Sequence, residues 1–267
     1  MEAYPGDPYA YMPAGGGRRK FSNIEGVLPL VLLIVIAFFV LQFLGVLPCY
    51  VPIGCGGEAN VVVIGTPSQD VVRTLSGKES QMKKISYPIN FDPDFITLSM
   101  LQNYDVVILQ GDPYFDMNTR EAVRDYVDAG GNIIVVGDAG SKHPQYPNVA
   151  GWAWPSGQGI PVPAELIGEW AGWTDVAYGA DLRFADINHP IVEGLKLIGS
   201  QLQMPSQVYK VTTKGNANVI AAIDTSEGTV PAVIEGNSGL GSVMYFAYDP
   251  GQTPEMLLTA VTYLAGV

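Results

Sequence analysis

The chain has 267 residues, 48% of them apolar and only 15% charged, with 31 glycines and 20 prolines. That balance excludes a coiled coil and a disordered chain, and a formal charge of −12 argues against binding nucleic acid or anionic lipid heads. Residues 49–267 hold 11 basic and 23 acidic side chains, so they carry the whole of that charge.

Residues 1–20 are rich in Tyr, Pro and Gly, with a Gly15-Gly16-Gly17 run, and offer few apolar side chains to bury. A disordered cytoplasmic tail is expected there. An uncharged run follows from Val27 to Pro48, with Gln42 its only strongly polar side chain. At 1.5 Å per residue this run reaches about 33 Å, enough to cross a hydrocarbon core of roughly 30 Å. Arg18, Arg19 and Lys20 precede it, and no basic residue follows until Arg73. The positive-inside tendency then puts the N-terminus in the cytoplasm and exports the chain from about residue 49. A cleaved signal would carry a shorter apolar region of about 7–15 residues and a small-residue cleavage site, which Cys49-Tyr50-Val51-Pro52 does not resemble. The expected order is a tail (1–20), a transmembrane helix (21–48) meeting lipid through residues 27–48, a linker (49–58) and an extracytoplasmic domain (59–267).

Cys49 and Cys55 are the only cysteines, and Pro52 and Gly54 lie between them. In an oxidising compartment a disulfide is expected, within this loop or to another chain. Two thiols without a nearby His cannot complete a tetrahedral zinc site.

From Ala59 onward the pattern alternates. Asn60–Gly65 is a continuous β-branched run, as in a strand buried on both faces. Ser68 caps a helix to about Ser76; Ile85–Ile89 is a weaker strand, and Asp94 caps a helix over 95–101. Tyr104–Leu109 is a second buried strand. Asn118 or Thr119 opens an amphipathic helix with Ala122, Val123, Tyr126 and Val127 on one face, stopping at Gly130-Gly131. Ile133–Val136 is a third buried strand. This rhythm predicts a flavodoxin-like α/β fold: an open, mostly parallel sheet with helices on both faces, behind a single transmembrane helix. Residues 138–163 are too long for an ordinary connection and read as a functional or lid loop. A helix is expected near Pro163–Ala171, strands at 219–223, 230–235 and 242–247, and a closing helix over Pro254–Leu264.

Tyr104-Asp-Val-Val-Ile-Leu-Gln-Gly111 and Tyr126-Val-Asp-Ala-Gly-Gly-Asn-Ile-Ile-Val-Val-Gly137 resemble the central part of the class I glutamine amidotransferase-like superfamily. The non-glutaminase, trehalose-utilisation-protein-like branch is the nearest, through His189-Pro190-Ile191-Val192-Glu193-Gly194 and Gly241–Phe246. The resemblance implies a nucleophilic Cys in the turn after Ile133–Gly137. That turn reads Gly137-Asp138-Ala139-Gly140-Ser141, and no Cys occurs after residue 55, so glutaminase chemistry is excluded.

Carboxyl ends of parallel strands collect ligands, which makes Asp112, Asp138, Ser141 and His143 candidate ligand-binding residues, with Asp249 on the same rim. If the chain is an enzyme, Asp138, Ser141 and His143 are its candidate catalytic residues, as in a hydrolase or carbohydrate-active enzyme. His143 and His189 with Asp138, Asp181 and Asp186 match no metal-binding spacing, and no metal or cofactor is expected. All four tryptophans, Trp152, Trp154, Trp170 and Trp173, fall within 22 residues, with Tyr146 and Tyr178 nearby. Buried, these aromatics form a satellite core under the long loop; exposed, Trp152 and Trp154 are the candidate platform for a glycan or protein partner. Phe21-Ser22-Asn23-Ile24-Glu25 resembles the start of a type IV pilin-like segment, with Lys20 where Gly or Ala is usual. The reading that results is a non-catalytic binding or assembly module at the cell surface, oligomeric states being open. A hydrolase and a filament subunit are the alternatives.

Overall fold

A computed structural model describes residues 24–43, 57–87, 90–153, 159–168, 176–198, 205 and 207–267. The tail at 1–20, the Cys49/Cys55 pair, Trp154, Trp170 and Trp173 lie outside these residues. The chain divides into two units, Met1–Cys55 and Gly56–Val267.

In the first unit a helix, α1, spans Ile24–Phe43 with Pro29 inside it. Its side chains are described over residues 29–38, where Leu30, Leu32, Leu33, Ile34 and Ile36 are exposed. Among the described residues, no helix is long and apolar enough to cross a membrane.

The second unit opens with β1 (Ala59–Gly65), α2 (Gln69–Ser76) and α3 (Lys78–Met82). Two short strands, β2 (Ile85–Ser86) and β3 (Asn90–Phe91), both pair in parallel with the same side of β1 and act as one broken edge strand. Then come α4 (Leu98–Leu101), β4 (Val106–Gln110), α5 (Met117–Asp128) and β5 (Asn132–Val136). A hairpin, β6 (Lys142–His143) with β7 (Tyr146–Ala150), follows. Beyond it lie β8 (Ala164–Leu166), β9 (Val176–Ala177), β10 (Gly179–Phe184), α6 (Pro190–Ile198), β11 (Val208–Tyr209) and β12 (Val211–Thr213). The chain closes with β13 (Asn218–Thr225), β14 (Gly228–Ser238), β15 (Gly241–Phe246) and α7 (Pro254–Ala265).

The main sheet runs β10-β13-β14-β15-β5-β4-β1-β2. From β15 to β2 every pairing is parallel; β14, β13 and β10 continue the sheet antiparallel. The sequence pattern predicted β13 and β14 but neither β10 nor the reversed direction. The cause is local: β13 and β14 are joined by a two-residue turn, and so are β14 and β15, which is too short for a parallel crossover. β4 is buried at all five positions, as a strand covered on both faces requires. The step from β1 to β2 runs one way along the sheet and the steps to β4 and β5 run the other way. Right-handed crossovers therefore place α2 and α5 on opposite faces, α2 with α7 and α6, α5 with α4. Direction reverses between β1 and β4, which makes their carboxyl ends the topological switch point.

Three local expectations are corrected. The helix expected near Pro163–Ala171 is strand β8, because Ala164 and Leu166 are buried while Glu165 is exposed, a period of two; it pairs with β12. The helix expected over 95–101 breaks into a 3-10 turn, Pro93–Phe95, capped by Asp92, and the short α4 beginning after Thr97. Ile96 is extended and buried between them, which outweighs local helix preference. Asp116, not Asn118 or Thr119, caps α5, its carboxylate accepting from Thr119 N at 2.7 Å.

The end of α5 packs tightly on the start of β15. A Cβ on Gly241 would lie 2.1 Å from the carbonyl oxygen of Gly131 and 2.5 Å from that of Val127. Both obstacles are backbone, so Gly241→Ala is expected to lower stability by about 2 kcal/mol or more, measured by urea unfolding.

Candidate functional site

The carboxyl ends of β1, β4, β5 and β15 form one rim, and the turns leaving them carry its polar groups. After β1, Ser68 accepts from Val71 N at 3.2 Å and so caps α2. Its hydroxyl also donates to Asp249 Oδ1 at 3.0 Å. Gln110, the last residue of β4, donates to the same oxygen through Nε2 at 3.1 Å, and Gly251 N donates to it at 3.0 Å. Asp249 thus ties the loops after β1, β4 and β15 across the switch point. Gln110 is buried, and its Oε1 has no hydrogen-bond partner.

The turns after β4 and β5 are joined next. Asp112 accepts from Tyr114 N at 2.8 Å with its side chain, and from Gly140 N at 2.9 Å with its carbonyl. Beneath them lies Arg120 of α5, wholly buried. Its Nη2 donates to the carbonyls of Gly140 (2.5 Å) and Gly151 (3.3 Å), and burial pulls its pKa down to about 10. A charge this deep needs such partners, and they fix the turn after β5 against the end of the β6–β7 hairpin.

That turn is where the sequence resemblance implied a nucleophile. Ala139 N bonds to Val136 O at 3.1 Å, and Gly137 and Gly140 take the two left-handed positions (φ 60° and 63°). Asp138 and Ala139 have no such strain; among the described residues only Lys84 is a non-glycine with positive φ. β5 leads through this turn into β6, so the strand-to-helix elbow that projects a nucleophile is missing along with the thiol.

The candidate residues converge only in part. Asp138 is half-buried, and its Oδ1 accepts from Tyr209 OH at 3.3 Å. Ser141 is fully buried, and its hydroxyl has no hydrogen-bond partner. It is therefore not bonded to His143, whose Nδ1 accepts from Gln145 N at 3.1 Å. The Asp138/Ser141/His143 trio does not form a nucleophile–base pair in this geometry. Trp152, expected as an exposed platform, is only 1% exposed: its Nε1 donates to Ala139 O at 2.8 Å and its ring meets Tyr245 edge-on at 5.5 Å. It holds the long loop down instead of displaying a surface. Among the described residues of the region, Tyr146 and Tyr178 are exposed.

His189 lies elsewhere. Its Nδ1 accepts from Ile191 N at 3.3 Å at the start of α6, and its Nε2 lies 2.9 Å from Glu235 Oε2. Asp186 turns the same segment by accepting from Asn188 N and Asn218 Nδ2. Among the described residues no three His, Cys, Asp or Glu side chains gather to hold a metal ion.

Sequence reasoning missed Gln110, Arg120, Tyr209 and Tyr245. Tyr245 is fully buried in β15, its hydroxyl has no hydrogen-bond partner, and its pKa is raised by burial and then by Tyr209 and Asp138. The Tyr209 phenol is pushed up to about 12, by burial first and by Asp138 second. Both stay protonated at neutral pH; Tyr209 donates to Asp138, and Tyr245 holds a proton that it donates to no group.

Removing the Asp249 carboxylate leaves Ser68, Gln110 and Gly251 without their shared acceptor. Asp249→Ala is expected to cost about 2–4 kcal/mol in stability and to speed amide exchange at Val71 and Gly251. Unchanged exchange at both amides would rule out the three-loop tie.

The model of the family described as ThuA, trehalose utilisation, matches residues 66–261. No curated protein sequence matches the chain. Similar solved structures include Cytoplasmic Protein STM3548 from Salmonella typhimurium, at 11% identity over 77% of this chain and 98% of that one, with a TM-score of 0.55. The cold-adapted β-galactosidase from Rahnella sp. R3 is 18% identical over 77% of this chain and 31% of its own, also with a TM-score of 0.55, so this chain spans under a third of that enzyme. At these identities the likeness is one of fold. The chain belongs to the ThuA family, whose fold is that of the class I glutamine amidotransferases.

Proposed function

We propose that this ThuA-family domain is a membrane-anchored, extracytoplasmic binding module that takes a small carbohydrate-class ligand at its rim without glutaminase chemistry. The observation that carries the reading is the turn after β5. It keeps a half-buried carboxylate, Asp138, among buried hydroxyls, yet has neither a thiol nor a strained elbow. Carboxylates beside neutral hydroxyl donors suit ligand hydroxyl groups, which both donate and accept. The family's description as trehalose utilisation points to the same ligand class. The hydrolase alternative lacks a Ser141–His143 hydrogen bond to support it.

The anchor in this proposal is the uncharged run Val27–Pro48, with three basic residues before it and none until Arg73. Apolar side chains exposed along α1 at residues 30–36 favour lipid or another apolar partner around that helix.

Purified full-length protein in nanodiscs is expected to release no ammonia from glutamine. It is expected to bind trehalose or glucose by calorimetry, with Asp138→Ala weakening that affinity about tenfold or more. In intact cells, protease added outside is expected to remove residues after 56 while leaving a membrane-bound N-terminal fragment. Full protection of the domain would overturn the topology, and ammonia release or indifference to both sugars would overturn the binding reading.

A further inference from the structure

We infer that Tyr209 and Tyr245 complete the rim site: Tyr209 is its cover, holding Asp138 where a ligand hydroxyl would, and Tyr245 is the buried donor beneath. This rests on the rim being a binding site, as proposed above.

Tyr245 supplies the first observation. A fully buried phenol without a hydrogen-bond partner is rare, because the lost hydration is not recovered. In the parallel pairing of β15 with β5, Tyr245 sits beside Val135, two positions before Gly137, so strand alternation puts its side chain on the face where the Tyr209 ring meets Gly137. Trp152 meets its ring edge-on at 5.5 Å, and the indole N–H goes to Ala139 O instead of the phenol.

Tyr209 lies over this place. Its ring rests against Gly137, where a Cβ would come within 2.5 Å of it. Glycine at 137 therefore lets the ring sit directly on the turn after β5. The hydroxyl reaches Asp138 at 3.3 Å, well beyond the roughly 2.7–2.8 Å usual between oxygens. A long bond of this kind is easily exchanged for a better one from a ligand. The backbone of Tyr209 is held by its N–H to Ala247 O at 2.6 Å and by the β9–β11 pairing. Opening thus requires only rotation of the side chain, leaving the strand in place.

The cluster also selects the ligand. Asp138 repels anions, and Arg120, the cation buried under the turn, is engaged with backbone carbonyls. Tyr245 offers a neutral donor. A neutral hydroxyl satisfies both, donating to Asp138 and accepting from Tyr245, whereas a phosphate or carboxylate meets the negative charge of Asp138 unopposed.

Two measurements on the full-length protein in nanodiscs test the cover. Hydroxyl-radical footprinting read by mass spectrometry should find Tyr245 protected in the wild type and oxidised about fivefold or more faster in Tyr209→Ala, since solvent access governs the reaction. Calorimetry with trehalose should find Tyr209→Phe binding several-fold tighter, its Asp138 being freed, and Tyr245→Phe about tenfold weaker. Tyr209→Phe keeps the ring on Gly137, so it controls for any loss of folding in Tyr209→Ala. Protection of Tyr245 in a folded Tyr209→Ala protein overturns the cover. So does trehalose binding that is equal in the wild type, Tyr209→Phe and Tyr245→Phe, an outcome that leaves the rim reading standing. If Tyr245 becomes reactive while no variant binds trehalose, the cover stands and the carbohydrate reading fails.

Discussion

The carboxylate of Asp249 is the constraint around which the rim is organised. In an open α/β sheet the crevice at the switch point is the natural place for a ligand, and the start of the first helix offers unsatisfied N–H groups there. Here Ser68 caps that helix, and its hydroxyl is in turn held by Asp249. Gln110 and Gly251 converge on the same oxygen. The chain has filled its own anion position, so a phosphate would have to displace a covalently tethered competitor. The binding proposed above lies one strand along, at the turn after β5.

That turn is stiffened from below. A guanidinium buried this deeply is an unusual choice, because burial disfavours its charge. Its fork geometry explains the choice: one nitrogen spans the carbonyls of Gly140 and Gly151, which no apolar side chain could satisfy. Trp152 adds a second tie from the same loop to Ala139. The turn after β5 is therefore fastened on its inner side, while Asp138 on it bonds to Tyr209 from another strand.

How much of this was legible follows from the range of the interactions involved. Strands β1, β4 and β5 were readable because each is a continuous apolar run, a signal contained within five to seven residues. The closing helix α7 and the cap at Ser68 were readable for the same reason. Strand β8 was not, since Ala164–Leu166 is too short to display its period against helix-forming neighbours. The rim carboxylates were predictable as residues following strands. Tyr209 and Tyr245 were not: one lies in a segment without periodicity, and the other looks like ordinary strand filling. Their roles come from contacts across 71 positions of chain, between Asp138 and Tyr209, and no local pattern encodes those. Trp152 failed for the converse reason. Its spacing from Trp154 left open which ring is covered, and a packing partner 93 positions later, Tyr245, buries Trp152.

Loss of the thiol and loss of the elbow belong together. A nucleophile needs a strained position to project it, and strain costs stability unless function maintains it. With Ala139 in relaxed backbone and glycines at the two left-handed places, the turn retains its path but not its tension. The space above it is taken by the ring of Tyr209 on Gly137, which could not lie there against a side chain. In the binding role proposed above, this aromatic cover takes the place that an attacking group would need. That proposed role depends on hydrogen-bond exchange at Asp138 and needs no thiol.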